Sequence, residues 1–195
     1  MPTLPHDAVL RGLKEIGAPG ERQGLAIEGF RRAGVLVPLL IGSRKPELLF
    51  TKRTEEVESH KGQISFPGGM SDTGDTDIVE TSLREAREEL GIAASAVAVR
   101  GFLDDVAVPS GFIITPVVGT LEALPPLTPN PAEVAEAFTV PLEFFCDGNN
   151  GRSEIRERHG IKREVWFYEY RGHTIWGATA MIVRDLVARM GMLNG

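Results

Sequence analysis

Gly68-Gly69-Met70-Ser71-Asp72-Thr73-Gly74-Asp75-Thr76-Asp77-Ile78-Val79-Glu80-Thr81-Ser82-Leu83-Arg84-Glu85-Ala86-Arg87-Glu88-Glu89-Leu90-Gly91-Ile92 decides how the rest of this chain is read. The spacing predicts a helix over 77–90, stopped by Gly91 in the C-terminal cap position that favours glycine. At about 100° per residue, Val79, Leu83, Ala86 and Leu90 fall within an arc of about 60°, which defines the expected buried face. Glu85 and Glu89 share one flank of that face, with Glu88 beside them. Glu80, Arg84 and Arg87 lie on the other flank, where Glu80 and Arg84 stand in the favourable i, i+4 order.

Three carboxylates at i, i+3 and i+4 repel one another by a few tenths of a kcal/mol per pair. A hard divalent cation such as Mg²⁺ offsets this, because it takes carboxylate oxygens and leaves positions for water and phosphate. Mn²⁺ suits the same ligands. A solvated, highly charged helix face is the plain alternative for the hexapeptide 84–89 alone. The preceding Phe66-Pro67-Gly68-Gly69 shifts the balance, since glycine lets the backbone come close to a metal or phosphate that a side chain would obstruct.

Working outward, residues 7–16 read as a first helix ended by Gly17-Ala18-Pro19-Gly20. Residues 34–41 and 47–53 read as strands around a turn, and 63–66 as a short strand broken at Pro67-Gly68-Gly69. Strands are expected at 97–102 and 111–121. A proline-rich loop over 124–131 should lead through a short helical turn into a strand at 137–140. Residues 163–170 and 173–176 suggest a hairpin around Arg171-Gly172, and 178–190 a closing amphipathic helix. Without regular β-α-β alternation, the fold class is α+β with a mixed sheet.

The 195 residues suit a single domain, with 1–33 as an N-terminal helical extension packed on it. No apolar run approaches the roughly 20 residues needed to cross a bilayer. No secretory pattern opens the sequence, and Cys146 is the only cysteine, so disulfides within the chain are excluded and a cytoplasmic location is expected. The net charge of −6 argues against nucleic-acid binding but not against a small anionic substrate held by local basic groups and metal.

Arg84-Glu85-Ala86-Arg87-Glu88-Glu89-Leu90-Gly91-Ile92 resembles the second half of the Nudix hydrolase pattern G-x5-E-x7-R-E-U-x-E-E-x-G-U, where U is a bulky apolar residue. The first half departs from it. Counting from Gly69, the acidic position is Asp75 rather than Glu, and the gap to Arg84 is one residue longer, so Asp75, Asp77 or Glu80 stands in for the missing glutamate. The resemblance implies a Nudix-type α/β/α sandwich and a pyrophosphohydrolase with Glu85, Glu88 and Glu89 on the metal. The Gly69 carbonyl would add a further ligand, and Arg84 belongs to the same catalytic motif. The base that accepts the proton of the attacking water is left open among a helix glutamate, Glu133 and Glu136.

Further upstream, Leu48-Leu49-Phe50-Thr51-x-Arg53-x6-His60-Lys61-Gly62-Gln63-x2-Phe66-Pro67-Gly68-Gly69 is similar to the extended signature of the coenzyme A pyrophosphatase branch. Residues 133–142 and 176–179 add to the likeness. It implies coenzyme A or its derivatives as substrate, with Arg53, Lys61, Gly68 and Gly69 contributing to substrate binding. The alternatives are hydrolysis of another nucleoside diphosphate derivative, such as ADP-ribose, a dinucleoside polyphosphate or an oxidised nucleotide, and a non-catalytic nucleotide-binding module. Arg53 suits bidentate pairing with phosphate; without the signature it reads as a solvated strand-end arginine. His60 reads as a structural loop residue and Phe66 as core. Arg156, Arg158, Lys162 and Arg163, interspersed with Glu154, Glu157 and Glu164, read as a charged hairpin, and Trp166, Phe167, Tyr168 and Tyr170 as strand core.

Overall fold

A computed structural model of the chain describes residues 6–17, 20–42, 45–54, 62–158 and 160–194. The elements run α1 (His6–Gly12), β1 (Arg31–Leu40), β2 (Glu47–Arg53), β3 (Ile64–Ser65), β4 (Gly68–Met70), α2 (Ile78–Leu90), β5 (Ala98–Phe102), β6 (Val106–Val108) and β7 (Phe112–Leu121). They continue through β8 (Val134–Pro141), α3 (Leu142–Cys146), β9 (Gly151–Arg158), β10 (Ile161–Tyr170), β11 (His173–Trp176) and α4 (Ala178–Arg189).

β1 organises the main sheet. It runs parallel to β7 along its whole length and antiparallel to β2 and β4 on its other side. With β8 outside β2, and β5 and β6 on β7, this makes a mixed sheet. Both faces of β1 are covered, which is why residues 35–41 form an almost unbroken apolar run instead of alternating with polar residues. Val37 and Leu39 join Leu48 and Phe50 in the larger core, while Leu40 and Leu49 turn to the opposite face with Leu90 and Ile92. Pro38 is tolerated inside this strand because it falls between the stretch paired with β4 (33–35) and the stretch paired with β2 (39–40). The ladder needs no N–H from it there.

Helix α2 lies on one face of the sheet, against β1 and β4. On the other face, α4 supplies Ala180, Ile182, Val183, Leu186 and Val187 to the larger core, alongside the small antiparallel sheet β11-β10-β9. The expected α+β sandwich with a mixed sheet is the observed architecture. Val9, Leu13 and Ile16 of the N-terminal segment also enter the larger core. No helix among the described residues is long and apolar enough to cross a membrane.

Several local expectations are corrected. The first helix tightens into a 3-10 turn after Gly12, at Leu13–Glu15; a Cβ on Gly12 would stand 2.8 Å from that of Met190, so the helix passes very close to the end of α4. The Gly68-Gly69 segment is not a loop: its backbone pairs with β1, Gly69 opposite Gly34. β8 begins at Val134, three residues before its expected start, directly after the expected turn, in which the Val134 N–H bonds the Asn130 carbonyl at 2.8 Å.

The buried face of α2 is also rotated from the expected one. Thr81, Ser82, Ala86, Glu89 and Leu90 are buried, whereas Val79 and Leu83 are only partly covered. Beneath the helix lie the bare backbones of Gly34, Gly68 and Gly69, which leave room for its polar flank against the sheet. A Cβ on Gly34 would meet the Ile78 carbonyl oxygen at 2.9 Å.

Candidate active site

The helix that carries the carboxylates is held at both ends by local chemistry. Asp77 caps its start by accepting the Glu80 N–H at 2.9 Å, and Glu80 in turn accepts the N–H and hydroxyl of Thr76 at 2.7 and 2.6 Å. Reciprocal bonds of this kind satisfy amides that a helix N-terminus leaves unpaired. At the far end Gly91 takes the left-handed conformation, φ 74°, that lets its N–H turn back to the Arg87 carbonyl at 2.8 Å.

Arg84 joins the preceding loop to the helix. Its Nε and Nη2 grip Asp75 at 2.9 and 3.1 Å, and Nη2 also donates to the Met70 carbonyl at 3.0 Å. Its Nη1 reaches Glu85 Oε1 at 2.8 Å and Glu88 Oε2 at 3.1 Å. Asp75 also accepts the Thr81 hydroxyl at 2.8 Å and the Asp72 N–H at 2.9 Å. The hydrogen bonds from Arg84 hold the Asp75 carboxyl well below the usual carboxylate range. The expected Glu80–Arg84 pair does not form, since Glu80 is spent on the cap and Asp75 offers a bidentate, charge-assisted grip. Of the three acidic residues considered for the position of the missing glutamate, Asp75 is the one on Arg84.

Gly69 is where the sheet makes way for the helix: a Cβ there would stand 2.7 Å from the carboxylate atoms of Glu85. Gly68 is equally constrained, because its Cβ would lie 2.4 Å from the Gly34 carbonyl oxygen. Burial, opposed by Arg84, raises the Glu85 carboxyl above its ordinary value.

Glu89 is 2% exposed and is the most enclosed of the three helix glutamates. Its Oε1 lies 3.8 Å from Arg53 Nη1, and its Oε2 is buried with no hydrogen-bond partner among the described residues. Burial pushes this carboxyl up to about 8; the charge of Arg53 and the Gly68 N–H pull it down, while the charges of Glu133 and Glu85 push it further up. Arg53, the last residue of β2, keeps its own Nε buried and without a hydrogen-bond partner among the described residues.

Glu133 and Glu136 are separated by the sheet. The β2–β8 ladder slips between Lys52 and Arg53, so that Arg53 stands opposite Val134 and Lys52 opposite Glu136. Glu133, just before β8, accepts the Asn130 side-chain amide at 3.1 Å and acts electrostatically on both Glu85 and Glu89. Glu136 instead lies 3.5 Å from His173 Nε2, beside the Phe138–His173 stack. The structure therefore gathers Gly68, Gly69, Arg84, Glu85, Glu88, Glu89, Arg53 and Glu133, and leaves Glu136 apart. Lys61 and His60 lie outside the described residues. Phe66 is core, stacked on Phe50 at 4.8 Å. Gly34 went unremarked in the sequence, although an isolated glycine within a strand marks a close backbone approach.

The family model of the NUDIX domain matches residues 30–159. The chain belongs to the Nudix hydrolase family. Among Nudix proteins it is 41% identical over 160 residues to one from Photorhabdus laumondii named an uncharacterized Nudix hydrolase NudL, covering 82% of this chain and 85% of the relative. A protein of the same name from Yersinia pestis is 39% identical over 162 residues, covering 83% and 81%. The crystal structure of a MutT/nudix family protein from Enterococcus faecalis superposes with a TM-score of 0.57 at 14% identity, covering 88% of this chain and 66% of that one; the likeness is one of fold.

Nudix hydrolases generally use divalent metal ions such as Mg²⁺. Among the described residues no three His, Cys, Asp or Glu side chains converge on one point as they lie, because Glu85 and Glu88 are turned onto Arg84. The donor set nonetheless fits a hard cation. It is made of carboxylate oxygens, it includes a buried Glu89 oxygen without a partner, and Gly69 leaves space beside Glu85. Swinging Glu85 and Glu88 off Arg84 would leave that guanidinium still anchored by Asp75.

Proposed function

We propose that this chain is a Mg²⁺-dependent coenzyme A diphosphatase that cleaves the molecule to 3′,5′-ADP and 4′-phosphopantetheine. The observation that carries the hydrolase reading is the buried Glu89 carboxylate, with Oε1 facing Arg53 and Oε2 without a hydrogen-bond partner among the described residues, beside Glu85 and Glu133. The extended signature from Leu48 to Gly69 supports coenzyme A among the diphosphates that Nudix hydrolases take.

Glu85, Glu88 and Glu89, with the Gly69 carbonyl, would hold the ion. When bound, Mg²⁺ supplies the positive charge that screens the diphosphate oxygens and makes water a better nucleophile. Arg53, at the mouth of this group, binds a phosphate oxygen once Glu89 no longer needs its charge. Arg84 keeps the helix and the Gly68-Gly69 strand in register, so the carboxylates are presented from a fixed backbone. Glu133 takes the proton from the attacking water: it is partly exposed, its carboxylate is oriented by Asn130, and no arginine among the described residues pairs with it.

Incubation with coenzyme A and Mg²⁺, followed by chromatography of products, tests the reading, with ADP-ribose run alongside. Release of both 3′,5′-ADP and 4′-phosphopantetheine is expected. Intact coenzyme A beside cleaved ADP-ribose would overturn the substrate, and two intact compounds would count against hydrolysis of either.

A further inference from the structure

β9 is an edge strand. β10 pairs with one side of it, and among the described residues nothing pairs with the other. An antiparallel ladder uses the backbone groups of alternate residues on each side, so every second residue of β9 turns its N–H and C=O outward. Natural edges are usually blunted by charge and kept free of exposed apolar side chains. Here Ile155, in the middle of the strand, is 68% exposed, more than any other large apolar side chain among the described residues.

The charges beside Ile155 are of opposite sign. Glu154 precedes it and Arg156 follows it, and in the single chain the Arg156 guanidinium reaches Glu154 at 3.2 Å while lying over the Phe167 ring. We propose that β9 is the self-association surface of this protein, pairing antiparallel with β9 of a second copy about a two-fold axis through Ile155. The two small sheets would then join into one.

The register follows from symmetry. A two-fold axis perpendicular to the sheet brings like faces together, so each residue meets one of its own parity along the strand. Centred on Ile155, the pairing sets Ile155 against Ile155 and Glu154 against Arg156 twice. Centred on Glu154, it would set Glu154 on Glu154 and Arg152 on Arg156. Centred on Arg156, it would set Arg156 on itself. Centred on Ser153, it would set Arg152 on Glu154 but leave Ile155 opposite Gly151, whereas the Ile155-centred register places opposite charges on both sides of the axis and buries the exposed isoleucine against its own copy. Exposed ion pairs add little affinity, so their part is to select this register, while backbone hydrogen bonds and Ile155 burial supply the attraction.

Sedimentation equilibrium of the full chain tests this with Glu154→Arg and Arg156→Glu, two side chains about half exposed and distant in sequence from the carboxylate helix. The unaltered chain should sediment as a dimer. Each variant alone sets like charges across the axis twice and should weaken self-association by at least about tenfold. Mixed in equal amounts, the two variants meet opposite charge at both places and should regain the dimer mass. Recovery in the mixture also shows that both variants are folded. A monomeric unaltered chain would overturn the proposal. So would a dimer indifferent to either substitution, or variants that dissociate and do not recombine. None of these outcomes depends on which diphosphate is cleaved.

Discussion

Replacing Glu89 by Gln separates two consequences of burying a carboxylate with one unpaired oxygen. In the metal-free protein the folded carboxyl is pushed up to about 8 from an ordinary 4.5. Below the lower value both folded and unfolded chains carry the proton, and stability is at its full level. Between the two values the unfolded chain releases the proton while the folded chain keeps it, so stability falls as pH rises and levels off above about 8. At about 1.4 kcal/mol for each pH unit, the loss amounts to at most about 5 kcal/mol. Glu85, also raised by burial, acts in the same direction.

Urea unfolding in the presence of a chelator, repeated from pH 5 to pH 9, measures this directly. The unaltered protein should lose several kcal/mol across about that interval. Glu89→Gln, which cannot ionise, should lose much less, and saturating Mg²⁺ should remove most of the slope from the unaltered protein. Turnover of Glu89→Gln should fall by orders of magnitude while its circular dichroism is unchanged. A metal-free unaltered protein whose stability is flat over this range, or a Gln variant with the same slope or near-normal turnover, would refute the reasoning.

Gly69→Ala would drive a methyl to within 2.7 Å of the Glu85 carboxylate; displacement of that group should cost about a hundredfold in kcat/KM with the fold retained, read by steady-state kinetics beside a melting curve. Asp105→Ala removes the partner of Arg22 and Arg32 together with the acceptor for the Leu25 N–H at 2.8 Å and the Thr115 hydroxyl at 2.7 Å. It should destabilise the protein by about 3–5 kcal/mol in urea titrations at neutral pH. Although burial works against it, the Asp105 carboxyl is held below its ordinary value by the Leu25 N–H, Thr115 and the arginines. The unaltered protein should therefore lose this contribution as pH falls below about 4, and the difference between the two proteins should shrink there. Cys146 is buried, and burial pushes its thiol up to about 11; a thiol reagent at pH 8 should label it only on unfolding, and rapid labelling of the native chain would contradict its enclosure.

Much of the site could be read without coordinates because its features are local. The i, i+3, i+4 spacing of Glu85, Glu88 and Glu89, the glycine stop at Gly91 and the Gly68-Gly69 pair depend on geometry within a few residues of chain. β2 at Glu47–Arg53 and β11 at His173–Trp176 were legible for a similar reason, with alternating or apolar runs bounded by turn residues. The partner of Arg84 was misread. Glu80 lies at the favourable helical spacing, but Asp75 is brought over it by a turn whose shape depends on hydrogen bonds among Asp72, Asp75 and Thr81. β9 was legible as half of a charged hairpin, whereas its unpaired edge is a property of the sheet it joins.

The amino-acid order by itself determined that there is a helix with three crowded carboxylates following a glycine pair, because helical period and glycine's missing side chain act at short range. Only the tertiary structure decided which way that helix faces and which distant acid joins it. The wheel puts Val79 and Leu83 inside, but the surface beneath is glycine backbone from β1 and β4, so the helix turns Ser82 and Glu89 inward. Likewise Glu133 and Glu136 are equivalent on paper, until a one-residue slip in the β2–β8 ladder and the two sides of a sheet send one to the carboxylates and the other to His173.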